Sequence, residues 1–585
     1  MSLVSLYDAA SLWMTPSGAE DGKLFSQLPT DGSGDFTFSR GSNLAATRVG
    51  ADGLIEKGRE NLLLYSEQFD NPYYIKSLGT ITSNQTTAPD GSLTADLFTK
   101  TTSVNTVSGL RPSSAPYSST GIFTFSVYVK QNVGNDVLLR LDAAGNTANA
   151  SFQFATKSIA ATGSNAIDAT ATELSNGWFR LSITGNITNA SWSLSVVNLF
   201  PNPANDSVFV WGAQLEIGLA ASPYIPTTTT TAQAGVLENT PRLNYTTGVA
   251  NPSLLLEPSR TNLIGYSEYL LDGWVDTGCT ITKTSETNPS GNDISYFATA
   301  IDNANGDRIR YFDGTKTGDY YFSFFAKGDG NAHQIYLRAL GGSGASNMYW
   351  DVAADGTISF NSNDSDANGS PITENFGDGW YRIGFKQTFT GANAYADIRP
   401  SSGDINSGIY IWGVQWEAGS YPTSYIPNHS GGSVTRGAES LSKYDFTDST
   451  SKTLFIECGD TRYAGGGGEI ILEKTNPVAA IFRIYIETDS SGTNVSSIRL
   501  RTEFPVNNYD FNLGNKDEFK KIALSINGSN VKIFGNGSLL GTYVVTPTTM
   551  EQLNWRVQSS KYNTKQLLVF PEALSDADCI TLTTL

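Results

Sequence analysis

The chain has 585 residues and a formal net charge of −18, with 39% hydrophobic, 11% aromatic and only 16% charged residues. That length calls for several domains of ordinary size, and the composition excludes both a protein of long helices and an unfolded chain. An acidic balance without clustered Lys and Arg argues against nucleic acid and anionic membranes as partners.

Three widely spaced cysteines, Cys279, Cys458 and Cys579, form neither a disulfide framework nor a metal clip and read as buried thiols. The opening stretch MSLVSLYDAASLWMTPSG lacks the basic and unbroken apolar parts of a secretion signal. No later run reaches the length of a membrane span. The expectation is a chain that uses no classical export route and enters no membrane.

In chain order, residues 1–58 form an N-terminal segment, and the chain beyond it opens with a duplication. ENLLLYSEQFDN from Glu60 matches TNLIGYSEYLLDGW from Thr261, and VFVWGAQLEIGLAASPYIPT matches IYIWGVQWEAGSYPTSYIPN. Asn61 and Asn262, Trp211 and Trp412, and Tyr224 and Tyr425 are each 201 positions apart (262 − 61, 412 − 211, 425 − 224). FTFSVYVK and NGWFRLSI of the first copy answer to YYFSFFAK and DGWYRIGF of the second. The copies span 59–227 and 260–428. Each shared word alternates apolar and polar side chains, the pattern of a strand with one face on a core, and Gly, Asn, Asp and Ser clusters lie between them. Regular short strands without helical periodicity predict a jelly roll or β-sandwich for each copy.

Residues 228–259 connect the copies, stiffened by Pro241, Pro252 and Pro258; the threonine run Thr227–Thr231 reads as a linker. The short apolar words GLIE and SLLLEP either add an edge strand or pack on an adjoining module. A linker at 429–451 leads to a third module, 452–585. There Asn527-Gly528 and Asn536-Gly537 signal hairpins. After Pro571 a single short helix is expected, with Ser575 as its N-cap and two aspartates in the first turn.

The words GLIEKGRENLLLYSEQFDN, ENTPRLNYTTGVANPSLLLEPSRTNLIGYSE and DFTFSRGSNLAATRVGADGLIE resemble a recurring segment of bacteriophage virion proteins of the tail-fibre, head-fibre or decoration type, which carry carbohydrate-binding-like jelly rolls. The last module resembles the concanavalin A and laminin-G-like sandwich, in which an Asn-Gly hairpin and a closing ALSDAD turn recur. The resemblance implies an all-β, multi-domain structural protein of the virion that meets other virion proteins and host-surface polysaccharide. It also implies 1–58 as the attachment segment and a homo-oligomer, a trimer by analogy with fibres.

The chemistry of catalysis is missing from the motifs. The two histidines, His333 and His429, fall in no nucleophile or zinc arrangement, and no phosphate or dinucleotide loop is present. The glycine run Gly465–Gly468 reads as a tract between strands. The alternative reading, a polysaccharide-degrading enzyme, needs only two carboxylates. Glu216 and Glu417, however, occur in both copies and read as structural. The repeat-equivalent Trp178, Trp380, Trp211 and Trp412 read as packing residues. Aromatics outside the shared words are the candidate glycan contacts: Trp274, Tyr349, Trp350 and Trp416 in the second copy, Tyr73 and Tyr74 in the first. No catalytic, cofactor or metal residue is expected. The oxygen-rich stretch Ser359–Pro371 is the one place for a structural Ca²⁺, though it lacks the EF-hand spacing and reads as a polar loop.

Overall fold

The structure is a computed structural model of the whole chain. It describes all residues except 42–43, 103–107, 115–116, 135, 200–203, 246–249, 302–306, 341–344, 364–368, 402–406, 445–449, 464–468, 474–481, 489–493, 504–505, 508–513, 516–517, 545–551, 557–559 and 585, with some further strand residues, chiefly within 460–517, described by backbone alone. The fold is all-β and multi-domain: antiparallel sandwich sheets and two short helices, Leu3–Ala9 and Asp576–Thr583. Among the described residues no helix is long and apolar enough to cross a membrane.

The first copy is a sandwich of two six-stranded sheets. One sheet runs Ala166–Glu173, Trp178–Ile187, Gly121–Val133, Ser207–Ile217, Ala95–Lys100, Gly79–Thr86. The other runs Ser158–Thr162, Asn146–Gln153, Asp136–Ala143, Ser193–Leu199, Ser108–Pro112, Tyr74–Ser77. Inward residues at every second position, such as Phe125, Val127 and Val129 from one sheet and Leu139, Leu141 and Phe152 from the other, close the core between them. In the second copy the two sheets are continuous. Arg308–Gly328 and Trp380–Arg399 are single long strands running through both. Register shifts near Phe312–Thr317 in Arg308–Gly328 mark the transition.

The WG word explains why both copies carry tryptophan there. Register shifts between Ser126 and Tyr128, and between Ser323 and Phe325, place a bulge at Gly212 and Gly413. These glycines have φ of 60° and 62°, and a Cβ on either would lie 2.9 Å from the ring of Tyr128 or Phe325. The bulge turns Trp211 and Trp412 out of the main core into satellite clusters with Trp178 and Tyr224, or with Trp380 and Tyr425. Asn61 and Asn262 staple each copy alike. Their amide nitrogens donate to the carbonyls of Ala213 and Ile225, or of Val414 and Ile426, at 2.8–3.1 Å. Their amide oxygens accept from Leu63 and Leu215 N, or from Ile264 and Trp416 N. Glu216 is braced by Gln214 and Ser222, and Glu417 by Gln415 and Thr423.

The third sandwich draws on more of the chain than 452–585. Leu12–Met14 pairs with the strand Ser560–Phe570, and Ser253–Leu256 pairs with another part of it. In the opposing sheet Phe36–Ser39 pairs with Ser440–Tyr444. Leu12, Met14, Leu24, Phe36, Phe38, Leu254 and Leu256 are all in its core. Residues 1–39 are therefore not a domain apart from the rest, because they supply strands that the C-terminal sandwich needs to close its core. SLLLEP serves the same sandwich. GLIE instead forms a two-stranded ribbon, Ile55–Lys57 on Thr47–Val49. Thr227 is buried and hydrogen-bonded to Ser66, so the threonine run begins inside the first jelly roll. Ser575 caps Asp576–Thr583 as expected, accepting from Asp578 N with Asp576 and Asp578 in the first turn. Asn536-Gly537 joins two strands with φ of 48° and 75°, the double positive that such a hairpin requires. The run Gly465–Gly468 lies outside the described residues.

A buried charge cluster ties the modules together. Glu439 accepts from Arg40 at 3.0 Å and from Arg242 at 2.7 and 2.5 Å, and Glu257 meets Arg242 at 2.9 Å and Arg436 at 3.0 Å. All five side chains are sealed from solvent. Burial alone would favour a protonated Glu257, but the Arg436 and Arg242 guanidiniums hold it well below the usual carboxylate range. Between the jelly rolls, the carbonyl of buried His429 accepts from Ile122 N, and its Nε2 lies 3.0 Å from Lys57 Nζ. Burial, then Lys57, pushes the imidazole down to about 4, so it is the neutral acceptor of the Lys57 ammonium.

Candidate functional site

Strand His333–Leu340 reads HQIYLRAL, and its alternation is strict: Ile335, Leu337 and Ala339 are in the core, which sends Gln334, Tyr336 and Arg338 to the outer face. Cross-strand register fixes their neighbours. Tyr336 lies opposite Arg399 on one side and Tyr349 on the other, and Arg338 lies between Asp397 and Asn347. Asp397 in turn faces Arg310, and Tyr395 faces Phe312. Gln334 faces Asp351. One sheet face of the second jelly roll thus gathers four aromatic rings, three guanidiniums and several carboxylate or amide groups.

The rings and charges are locked in place. Tyr336 and Tyr349 stack with centroids 4.7 Å apart and planes at 9°. The Arg399 guanidinium sits 4.6 Å from the Tyr336 ring centre, and that of Arg310 is 3.7 Å from Tyr395. Such stacking and cation–π contacts are each worth about 0.5–1.5 kcal/mol. Arg310 also grips Asp397 bidentately at 2.6 and 2.9 Å, and that hydrogen bonding raises the guanidinium further above its ordinary value. Asp351 accepts from Gln334 at 3.0 Å and Asn361 at 2.5 Å, while Tyr336 OH donates to Asn347 Oδ1. Arg338 Nε, at the middle of the face, is out of solvent and has no hydrogen-bond partner among the described residues. Phe312 is 56% exposed, an apolar ring left open to water beside Tyr395.

Among the described residues the first copy carries no such platform. The corresponding outward positions of Asp136–Ala143 and Asn146–Gln153 are Leu138, Arg140, Asn149 and Ser151. An arginine–asparagine pair occurs at equivalent places (Arg140 with Asn149, Arg338 with Asn347), but the tyrosine pair does not.

Of the six aromatics proposed from sequence, Tyr349 alone belongs to this face. Trp350 and Trp416 must be withdrawn, since both are fully buried. Trp350 is the inward neighbour of Tyr349, with Nε1 donating to Thr373 Oγ1 at 2.9 Å, and Trp416 packs between Phe322 and Phe389. Tyr74 is withdrawn for the same reason; its hydroxyl donates to the Leu64 carbonyl inside the first core. Tyr73 is half-buried, its ring edge-on to Tyr74 at 4.9 Å and its phenol raised by burial. Trp274 is half-buried against Tyr311 at 5.2 Å, with its Nε1 enclosed. Neither is part of the platform. Sequence reasoning missed Tyr336, Tyr395, Arg310, Arg338 and Arg399. The available signal was the polar half of each alternating strand, HQIYLRAL and AYADIR. The oxygen-rich stretch 359–371 is described only in part, with 364–368 outside the described residues.

No protein-family model matches the chain, and no curated protein is similar to it. Among solved structures, the chain is similar to the N-terminal tandem CBM22 pair of Xyn10C from Paenibacillus barcinonensis, at 11% identity and a TM-score of 0.18, over 65% of this chain and 99% of that one.

Proposed function

We propose that the chain binds polysaccharide through the outer sheet face of its second jelly roll. The observation that carries this is the preformed Tyr336–Tyr349 pair beside Arg338 and Arg399. Tyr336, stacked on one face of Tyr349 and itself covered by Arg399, holds the Tyr349 ring so that its other face suits the apolar C–H face of a pyranose, and fixed guanidinium, amide and carboxylate groups around it suit the hydroxyls. The face is held rigid before any ligand arrives, which lowers the entropy lost on binding. The first copy acts as a spacer and docking partner on this reading, because its equivalent face lacks the rings.

The finer reading is a virion protein of a bacteriophage, a fibre, tail appendage or decoration, that presents this face to host-surface glycan as a homo-oligomer. It is supported by the segment words GLIEKGRENLLLYSEQFDN and PSLLLEPSRTNLIGYSE, which resemble those of virion proteins. No catalytic role is proposed: Glu216 and Glu417 each hold a loop of their own module.

The test is a glycan array probed with the full chain and with a Tyr336→Ala variant. Binding to a defined set of glycans by the wild type that falls at least tenfold in the variant supports the assignment. A silent array, or one on which both proteins bind alike, overturns it.

A further inference from the structure

A second place for a ligand lies away from that face, where the third sandwich meets the opposite side of the second jelly roll. A cavity of about 590 Å³ opens there, within the range of roughly 300–1,000 Å³ typical of small-ligand sites. Its floor is built from strands of the third sandwich. Ser253–Leu256 lies alongside Ser560–Phe570 with Leu255 opposite Asn563, so Ser253, Asn563 and Lys565 share the side turned away from the core. Its roof is the outer side of the second jelly roll, with Phe376, Tyr425 and Arg382. Tyr245 and Phe519 also line it.

The charges lining the cavity are unequally spoken for. Arg48 is paired with Glu56 at 2.7 Å, and Arg382 donates to the Thr423 carbonyl at 2.7 Å and to Ser323 Oγ. Glu518 is taken by Lys520 at 2.7 Å. Lys565 differs: its ammonium is 3.7 Å from the centre of the Phe519 ring, and no carboxylate lies within salt-bridge distance of it among the described residues. A half-buried cation laid over an aromatic ring is an arrangement that still has donor directions to offer. Glu374, on the facing wall, is an acceptor for hydroxyls. An adjoining cavity of about 400 Å³ shares Asn251 and Lys565 with the first and runs on past Thr15 and Gln566, so the space suits a chain rather than a single ring.

We propose that this cleft binds a carboxylated oligosaccharide, with Lys565 meeting the carboxylate, Phe519 and Phe376 meeting pyranose faces, and Glu374 meeting hydroxyls. The site is independent of the sheet-face reading, since it shares no residue with Tyr336, Tyr349 or Arg399. It also exists only when the third sandwich is docked on the second jelly roll.

The test uses the full chain in isothermal titrations with three carboxylated probes, oligogalacturonate, a glucuronate-containing oligosaccharide and oligosialic acid, and with neutral maltotriose. The expected result is that at least one acidic probe binds wild type and a Tyr336→Ala/Tyr349→Ala variant equally, and that Lys565→Ala and Phe519→Ala each weaken it tenfold or more. Lys565→Arg, which keeps the charge, retains most of the binding and controls for folding. Raising salt from about 0.1 to about 1 M weakens wild-type binding, because the screening length shortens from about 10 Å to about 3 Å. The proposal is overturned if no acidic probe binds, if Lys565→Ala binds as wild type does, or if binding disappears in the sheet-face variant.

Discussion

Replacing Glu439 by Gln changes almost no volume and removes one negative charge from a site where three guanidiniums converge. In the native protein Arg40, Arg242 and Arg436 face Glu439 and Glu257, all sealed from water. Glu439 alone accepts from Arg40, twice from Arg242, and from Glu257 N at 2.8 Å. The amide keeps one acceptor oxygen and turns the other position into a donor aimed at an arginine. Breaking one partner of a buried pair costs about 3–5 kcal/mol, because the remaining charge stays buried without compensation. Since the cluster draws Arg242 and Arg436 from strands Arg242–Asn244 and Val434–Arg436 and Glu257 from just past Ser253–Leu256, the loss falls on the docking of the modules rather than on one core. Native-state hydrogen exchange reads this directly. Protection of Leu243, Leu255 and Thr435 amides should fall by about two to three and a half powers of ten, at 1.4 kcal/mol for each. The exposed pair Lys157–Glu173 is the control, where Lys157→Ala should cost under about 1 kcal/mol. If Glu439→Gln changes protection by less than threefold, the cluster does not hold the modules together and the reasoning fails.

The interface histidine gives a pH dependence. His429 is held down to about 4 in the fold against 6.5 in the unfolded chain, so the unfolded state binds more protons between those values and stability rises with pH across that window. The span is worth at most about 3 kcal/mol at 1.36 kcal/mol per unit; thermal melts between pH 4 and 7 should steepen with His429 present and flatten in His429→Gln. Trp416→Ala empties a fully buried site and should cost about 3–5 kcal/mol in urea unfolding, whereas a residue at a ligand surface would cost little. Asn61→Ala and Asn262→Ala each orphan two backbone carbonyls and two amides, so both should destabilise by similar amounts of about 2–4 kcal/mol. A large inequality in chemical denaturation would show that the two staples are not equivalent.

Much of this architecture is legible from the chain because duplication and alternation are local signals. Words such as FTFSVYVK and GWFRLSI carry their strand and its inward face with them, and the WG bulge recurs wherever its glycine does. The assembly of the third sandwich was not legible. Pairing Leu12 with Val569, or Phe38 with Leu441, joins segments hundreds of residues apart, and neither short strand has a period long enough to announce its partner. The hub of Arg40, Arg242, Glu257, Arg436 and Glu439 was hidden for the same reason: each is an ordinary charged residue in a connector until the fold buries it. The candidate site was legible by half. Selecting large aromatics found Tyr349 but also Trp350 beside it, and only strand parity separates the residue that faces water from the one that fills the core. The same parity, applied to HQIYLRAL, would have placed Tyr336 and Arg338 together.

The most direct measurement of the central claim is the affinity of the full chain for a polysaccharide it binds, determined by isothermal titration for wild type, Tyr349→Ala on the second-copy face, and Ser151→Ala at the matching position of the first copy. The account predicts a loss of at least tenfold for Tyr349→Ala and none for Ser151→Ala, with Ser151→Ala melting as wild type does and Tyr349→Ala destabilised by no more than the lost ring stack, about 0.5–1.5 kcal/mol. Equal affinity in all three proteins, or a loss confined to Ser151→Ala, would contradict it.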